Sequence, residues 1–126
     1  MPLNWERPDY EFQLRGADGA CARVNDRRLE TSFAIAPDRL IEHWPVADVR
    51  AMSTADLEPL LALQPEVVLL GSGARQAFPP AEVMAACLRR GVGLEAMDNA
   101  AAARTFNVLA GEGRRVVAGF VLGPAV

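Results

Sequence analysis

The sequence predicts an α/β domain of three layers, in which an N-terminal antiparallel meander precedes a mostly parallel central sheet built in βαβαβ order. Two observations lead to this prediction. Up to about residue 45, apolar and polar residues alternate with a period of two, as they do in half-buried strands. After residue 54, compact apolar runs alternate with helix-like segments. Strands that are joined by single helices form parallel sheets with right-handed crossovers.

The meander is predicted over residues 10–45, with turn-forming residues between its strands. Its first strand is marked by Tyr10, Phe12 and Leu14, which alternate with polar residues. The four predicted strands are residues 10–15, 21–24, 29–36 and 40–44. Short turns of this kind connect antiparallel neighbours, so we expect one continuous meander.

The α/β core is predicted over residues 54–122, and its first helix begins with Thr54 as the N-cap. The second helix begins after Pro79, where Phe78 and Val83 could form a hydrophobic staple. A third helix is capped by Asp98 or Asn99. The second helix has a predicted apolar stripe of Val83, Met84, Cys87 and Leu88, and the three predicted strands are residues 66–70, 92–97 and 115–122.

Length and composition exclude several classes of function. A chain of 126 residues fits a single domain, residues 1–126. It has 13 Arg and no Lys, which excludes a Walker-A loop and a lysine Schiff base. One His and two Cys without an acidic run predict no metal site, and we find no catalytic set and no cofactor motif. A net charge of −3 without a basic stripe makes nucleic acid an unlikely partner.

The sequence leads us to expect a cytoplasmic protein without a transmembrane segment. The first residues lack the basic and apolar regions of a signal peptide. The longest apolar run, residues 116–126, falls short of the ~20 residues that cross a bilayer.

One glycine-containing loop is a candidate for ligand binding because it follows a predicted buried strand. In open α/β sheets, ligands bind beyond the carboxyl ends of the strands. Gly71, Ser72 and Gly73 could offer backbone N–H groups there, and Arg75 could supply a positive charge for an anion. The alternative is structural, since glycines also let a chain turn sharply between a strand and a helix.

A second polar group follows the next predicted strand and should line the same crevice. Asp98 and Asn99 lie at the strand end, Arg104 lies in the second turn of the third helix, and Asn107 shares its side of that helix. The structural alternative is a capped helix with a solvated arginine and an asparagine that bonds a neighbouring loop.

An ordered set of motifs resembles one known family. The motifs run from Tyr10 to Leu122 and comprise Ser32-Phe33, Trp44-Pro45, Leu57 to Leu61, Val67 to Gly73, Phe78-Pro79-Pro80, Gly91 to Asp98, Ala102 to Leu109 and Gly113. They are similar to those of the small α/β family of unknown function that includes mitochondrial complex I (NADH dehydrogenase) assembly factor three and the archaeal proteins of its founding fold.

The resemblance implies a compact α/β domain with an accessory antiparallel sheet and no established reaction. The mitochondrial relatives act as assembly helpers for the NADH dehydrogenase complex. One residue departs from the family pattern, because Asn99 stands where the family typically has Thr. Asn still caps a helix, so only a ligand that needed the hydroxyl is affected.

Three functional hypotheses follow. The first is a non-enzymatic protein-interaction or assembly-factor-like module. The alternative is a binder of a small, anionic ligand, or a weak enzyme, that uses the predicted crevice. The third is a homo-oligomer formed through a free edge of the meander.

Overall fold

The structure is a computed structural model that describes residues 10–123. Within that range the chain forms eight strands and three α-helices, with a short 3-10 turn at Val49–Ala51. The strands are β1 (Leu14–Ala17), β2 (Ala22–Val24), β3 (Arg27–Leu29), β4 (Phe33–Ala36), β5 (Arg39–Glu42), β6 (Val67–Gly71), β7 (Gly93–Met97) and β8 (Val116–Phe120). The helices are α1 (Thr54–Leu61), α2 (Ala81–Arg89) and α3 (Asn99–Gly111).

The strands form two sheets. A small antiparallel sheet contains β1, β2 and β3, and a five-stranded sheet has the order β5-β4-β8-β6-β7. Strands β7 and β8 are both parallel to β6, whereas β4 is antiparallel to both β8 and β5. The main sheet is therefore mixed, with two parallel and two antiparallel pairs, so the prediction of a mostly parallel sheet was wrong.

The predicted meander is divided between the two sheets because its third strand is interrupted. Residues 27–29 belong to the small sheet, whereas residues 33–36 cross into the main sheet. All four residues of Phe33–Ala36 are buried, which is typical of a central strand with both faces covered. A meander strand with one solvent face would have alternated instead. The first and fourth strands also shift, to Leu14–Ala17 and Arg39–Glu42.

The main sheet lies between two hydrophobic cores. Along β6, Val68 and Leu70 point to one face and Leu69 to the other. The first face packs on α1 and α2 through Leu57, Leu60, Leu61, Val83 and Cys87, and the second packs on α3 and the small sheet through Ala102, Phe106, Ala110, Leu14 and Val24. This arrangement places α2 above β7, and α3 between the main sheet and β1.

The helix starts follow local hydrogen bonding. Ser53, not Thr54, caps α1, because its Oγ accepts from the Asp56 N–H while Asp56 Oδ2 accepts from the Ser53 N–H. Helix α2 begins after Pro80, one residue later than predicted. With Pro80 as the N-cap, Phe78 no longer directly precedes the cap as the predicted staple requires, and its side chain is 57% exposed. Of the two residues predicted as the cap of α3, Asp98 is the one that caps it, by accepting from the Ala101 N–H.

Candidate functional site

The loop after β6 is held in place by Ser72. The Ser72 backbone N–H donates to the carbonyl of Met97 at the end of β7. The Ser72 Oγ lies 2.7 Å from the Arg75 carbonyl and accepts from the Ala77 N–H at 3.0 Å. The N–H and the hydroxyl of Ser72 thus shape the loop, and the hydroxyl bonds only to backbone groups of the chain itself.

Asn99 joins three loops at the carboxyl ends of the strands. It is fully buried, and its Oδ1 accepts from the Gly73 N–H at 3.0 Å. Its Nδ2 donates to the carbonyls of Asp18 at 2.8 Å and Val121 at 2.9 Å. Because both amide hydrogens are bonded to backbone carbonyls of the chain itself, the side chain stabilises the fold and has no free donor for a ligand.

Two glycines allow Asn99 to approach. A Cβ atom on Gly71 would lie 2.5 Å from Asn99 Oδ1 and 2.7 Å from the ring of Phe120. Gly73 has φ +108°, a backbone conformation that residues with a side chain rarely adopt. The structural alternative for these glycines therefore accounts for both of them.

Asn107 and Arg104 lie away from the strand ends. Asn107 bonds both backbone groups of Leu14, since its Oδ1 accepts from the Leu14 N–H at 3.0 Å and its Nδ2 donates to the Leu14 carbonyl. It thereby attaches α3 to β1 as a neighbouring strand would. Arg104 is exposed on α3 and makes no ion pair with residues 10–123.

An open crevice of about 840 Å³ lies beside the loop after β6. Of the predicted site residues, Ser72, Gly73 and Arg75 line it. Gly71, Asp98, Asn99, Arg104 and Asn107 do not. The segments 18–20 and 47–50 also line it, with Asp18, Asp48 and Arg50 among their residues, and none of these residues was predicted from the sequence. No sequence motif signals them, because they come from the β1–β2 loop and from the segment before α1.

The acidic groups of the crevice have local partners. Asp48 binds Arg50 through two hydrogen bonds of 2.9 and 3.1 Å, and this guanidinium lowers the pKa of the Asp48 carboxyl. Asp18 accepts from the N–H groups of Cys21 and Ala20, which lower its pKa. Arg75, by contrast, is exposed and makes no ion pair within the described range.

A different surface is apolar and unoccupied by the rest of residues 10–123. The predicted stripe of α2 was wrong in two positions, because only Val83 and Cys87 are buried, while Met84 is 41% and Leu88 76% exposed. Ala86, Arg89 and Arg90 border a hollow shared with α1. Met84 and Leu88, four residues apart, therefore lie on the side of α2 that faces away from α1.

That side of α2 lies beside the free edge of β7. Within the described residues, β7 pairs with β6 on one side and ends the sheet on the other. The Met97 carbonyl accepts from the Ser72 N–H, so the backbone N–H and C=O of Met97 point toward β6. Because these groups alternate in direction along a strand, those of Leu94 and Ala96 point away from β6, toward the free edge. Gln76 Nε2 donates to the Ala96 carbonyl at 3.0 Å.

We name the exposed Met84 and Leu88 side chains, together with the outward backbone of Leu94 and Ala96, the α2–β7 surface. This surface could not be predicted from the sequence, since apolar residues at helical spacing predict burial. Residues 10–123 contain no group of three His, Cys, Asp or Glu side chains arranged to hold a metal ion. None of the helices in the same range has the length and apolar content that a bilayer span requires.

Two curated relatives match part of their own length. Over 118 residues the chain is 30% identical to the zebrafish (Danio rerio) protein named NADH dehydrogenase (ubiquinone) 1 alpha subcomplex assembly factor 3, covering 92% of this chain and 64% of that protein. Over 71 residues it is 31% identical to the "13 kDa major membrane protein" of Francisella tularensis subsp. holarctica, covering 56% and 58%. The chain thus spans less than two thirds of either relative, and the expected cytoplasmic location stays a prediction.

A solved structure and a family match agree with the fold. The NMR structure of the Xanthomonas campestris protein XCC1710 superposes with a TM-score of 0.83 at 57% identity, covering 98% of this chain and 93% of that one. Residues 14–121 match the family described as "Protein of unknown function (DUF498/DUF598)". The family resemblance predicted from the motifs is thereby confirmed, and the chain belongs to the DUF498/DUF598 family of unknown function.

Proposed function

We propose that this chain is a single-domain, non-enzymatic protein-interaction module that works as an assembly factor does, by holding another polypeptide. The observation that carries the proposal is the α2–β7 surface. Leu88 is 76% and Met84 41% exposed on one side of α2, next to a strand edge with unpaired backbone groups. Exposed apolar side chains beside an open strand edge favour association with another chain.

The hydrogen bonds of the polar residues also support this proposal, because they leave few side chains free to bind a small ligand. Asn99, Asn107 and Ser72 would be the side chains of a ligand site, and all three bond backbone groups of their own chain. These three side chains thus stabilise the fold, whereas Arg75 and Arg104 are exposed and make no ion pair within the described residues. The exposed side chains of Met84 and Leu88, in contrast, lie outside both buried cores. The name of the zebrafish relative adds support, since that protein is called an assembly factor.

Affinity capture from extracts of the protein's own cells tests the proposal. The tagged chain should retain a protein partner at near-stoichiometric yield. Leu88→Asp places a charge in the α2–β7 surface and should abolish this capture. Val108→Asp is the matched control, because Val108 is also apolar and 59% exposed, but lies on α3 on the other side of the sheet.

The capture yields of the two variants distinguish support for the proposal from its contradiction. Capture that persists with Val108→Asp and disappears with Leu88→Asp supports the proposal. Failure of the unmodified chain to retain any partner, or equal retention by both variants, contradicts it. Circular dichroism and thermal unfolding of both variants establish that the exposed substitutions leave the fold intact.

A further inference from the structure

We propose that the α2–β7 surface binds its partner by strand addition, taking up an extended segment that pairs with β7 and places a basic side chain opposite Glu95. This inference rests on the proposed function and specifies the chemistry of its partner. It follows from the hydrogen-bonding groups at the edge of β7, from the apolar residues of α2 and from the charge in the middle of the strand.

The backbone groups of β7 specify an extended segment. Within residues 10–123, the N–H and C=O of Leu94 and the N–H of Ala96 point outward and have no partner. A helix cannot satisfy these groups, because its own backbone groups are already paired. An extended chain can, as when a peptide adds a strand to an exposed sheet edge.

Gln76 limits how far the added strand extends. Its side-chain amide donates to the Ala96 carbonyl at 3.0 Å and so occupies the edge near the carboxyl end of β7. At the other end, the Val92 N–H donates to the Cys87 carbonyl. The free stretch is therefore short and centred on Leu94, which fits a segment of a few residues.

The two faces of the added strand meet different environments. On the α2 side, Met84 and Leu88 lie beside the edge and require apolar side chains at alternate positions. On the opposite face, Glu95 is exposed and makes no ion pair within the described range. Opposite charges across neighbouring strands stabilise pairing, whereas like charges destabilise it. The complementary segment thus presents apolar side chains toward α2 and a basic side chain opposite Glu95.

A second copy of this chain is the alternative occupant of the edge. Two copies of β7 that overlap over their full length pair antiparallel about Glu95, the middle residue of Gly93–Met97, which places the two Glu95 carboxylates opposite each other, where they repel. That register also requires the Ala96 carbonyl, which Gln76 already occupies. A register centred on Leu94 places Glu95 opposite Gly93 and leaves each carboxylate without an opposite charge, which a basic segment of another protein supplies.

Two blocked heptapeptides test the inference by NMR titration of the ¹⁵N-labelled chain. One peptide alternates valine with lysine, and the other alternates valine with glutamate. We expect the lysine peptide to shift the amide signals of Leu94 and Ala96 and to bind about fivefold more tightly than the glutamate peptide. In Glu95→Lys the preference should reverse. Glu95 is exposed, so this variant is expected to fold.

Each other outcome overturns the inference. These outcomes are an absence of shifts at Leu94 and Ala96, shifts confined to the crevice or to α2, and a preference that Glu95→Lys leaves unchanged. Signals of Leu94 and Ala96 that move with protein concentration alone identify a second copy as the occupant. If the cellular partner depends on Leu88 while neither peptide reaches β7, the proposed function stands and strand addition falls. If no partner is captured, the proposed function fails whatever the peptides do.

Discussion

Asn99 Oδ1 occupies a point 2.5 Å from where a Cβ atom on Gly71 would lie. Gly71 is the last residue of β6 and Asn99 the first of α3, so this contact joins two elements that are 28 positions apart in the chain. The glycine makes room for the amide, and the amide in turn holds the loops at Asp18, Gly73 and Val121. The side chain of Asn99, which the sequence placed in a candidate ligand site, is thus held by internal hydrogen bonds.

Gly71→Ala should destabilise the protein by about 2 kcal/mol, because the new methyl group overlaps Asn99 and the ring of Phe120, which are both buried. Urea unfolding measures the change. Gly16→Ala is the matched control, since nothing lies within 4 Å of a Cβ atom there. Its effect should stay within about 0.5 kcal/mol. Equal effects of the two substitutions would show that the space around Gly71 is not restricted.

Asn99→Ala should cost about 3 kcal/mol of unfolding free energy, since it leaves the carbonyls of Asp18 and Val121 and the N–H of Gly73 without their partner. Asn107→Ala removes a comparable pair of bonds to Leu14, but at a half-buried position where water can replace them. It should cost about 1 kcal/mol. The comparison is made by chemical denaturation, and a larger loss for Asn107→Ala would contradict it.

The stability of the protein should depend on Asp18 at acid pH. The N–H groups of Cys21 and then Ala20 lower the pKa of this carboxyl from its ordinary value of 3.8. Because the native pKa lies below the unfolded one, the contribution of Asp18 is complete above the unfolded pKa and is lost as pH falls through the native pKa. Unfolding of Asp18→Asn measured from pH 7 to pH 2 should show a weaker acid dependence than the wild type. Parallel pH profiles would refute this role.

The two cysteines should differ in reactivity. Burial in the core that also contains Val83 raises the pKa of the Cys87 thiol, whereas Cys21 is partly exposed just before β2. The thiolate is the reactive form, so a thiol reagent at pH 8 should modify Cys21 first and Cys87 only on unfolding. Cys21→Ser provides the control and should leave no rapidly reacting thiol. Rapid modification of that variant would show that the core around α2 opens readily.

The order of helices and strands after residue 54 could be predicted from the sequence, but which strands belong to which sheet could not. Compact apolar runs revealed β6, β7 and β8, and Asp98 marked the start of α3. The run Phe33–Ala36 was assigned to the meander, although its four consecutive apolar residues are typical of a strand buried on both faces. Which partner such a strand pairs with depends on tertiary packing, which local alternation does not encode.

The candidate site, too, could be predicted only in part from the sequence. Ser72 and Asn99 lie where the loops after parallel strands meet, as the sequence predicts, but Arg104 and Asn107 lie away from that edge. The sequence does not reveal that the partners of Asn99 are backbone groups of Asp18, Gly73 and Val121, because those contacts join distant segments. Conversely, the spacing of Met84 and Leu88 predicts burial. Their exposure depends on where α2 sits relative to α1 and to the sheet edge.

The affinity of the purified complex tests the central claim, that the α2–β7 surface holds a protein partner, most directly. The partner captured from cells is isolated, and its dissociation constant is measured by calorimetry with Leu88→Asp and with Val108→Asp. Leu88→Asp should bind the partner at least tenfold more weakly, a loss on the order of 2 kcal/mol, because it removes a buried apolar contact and buries a charge in its place. Val108→Asp should bind as the wild type does. An unchanged dissociation constant for Leu88→Asp, or an equal loss for Val108→Asp, would contradict the claim.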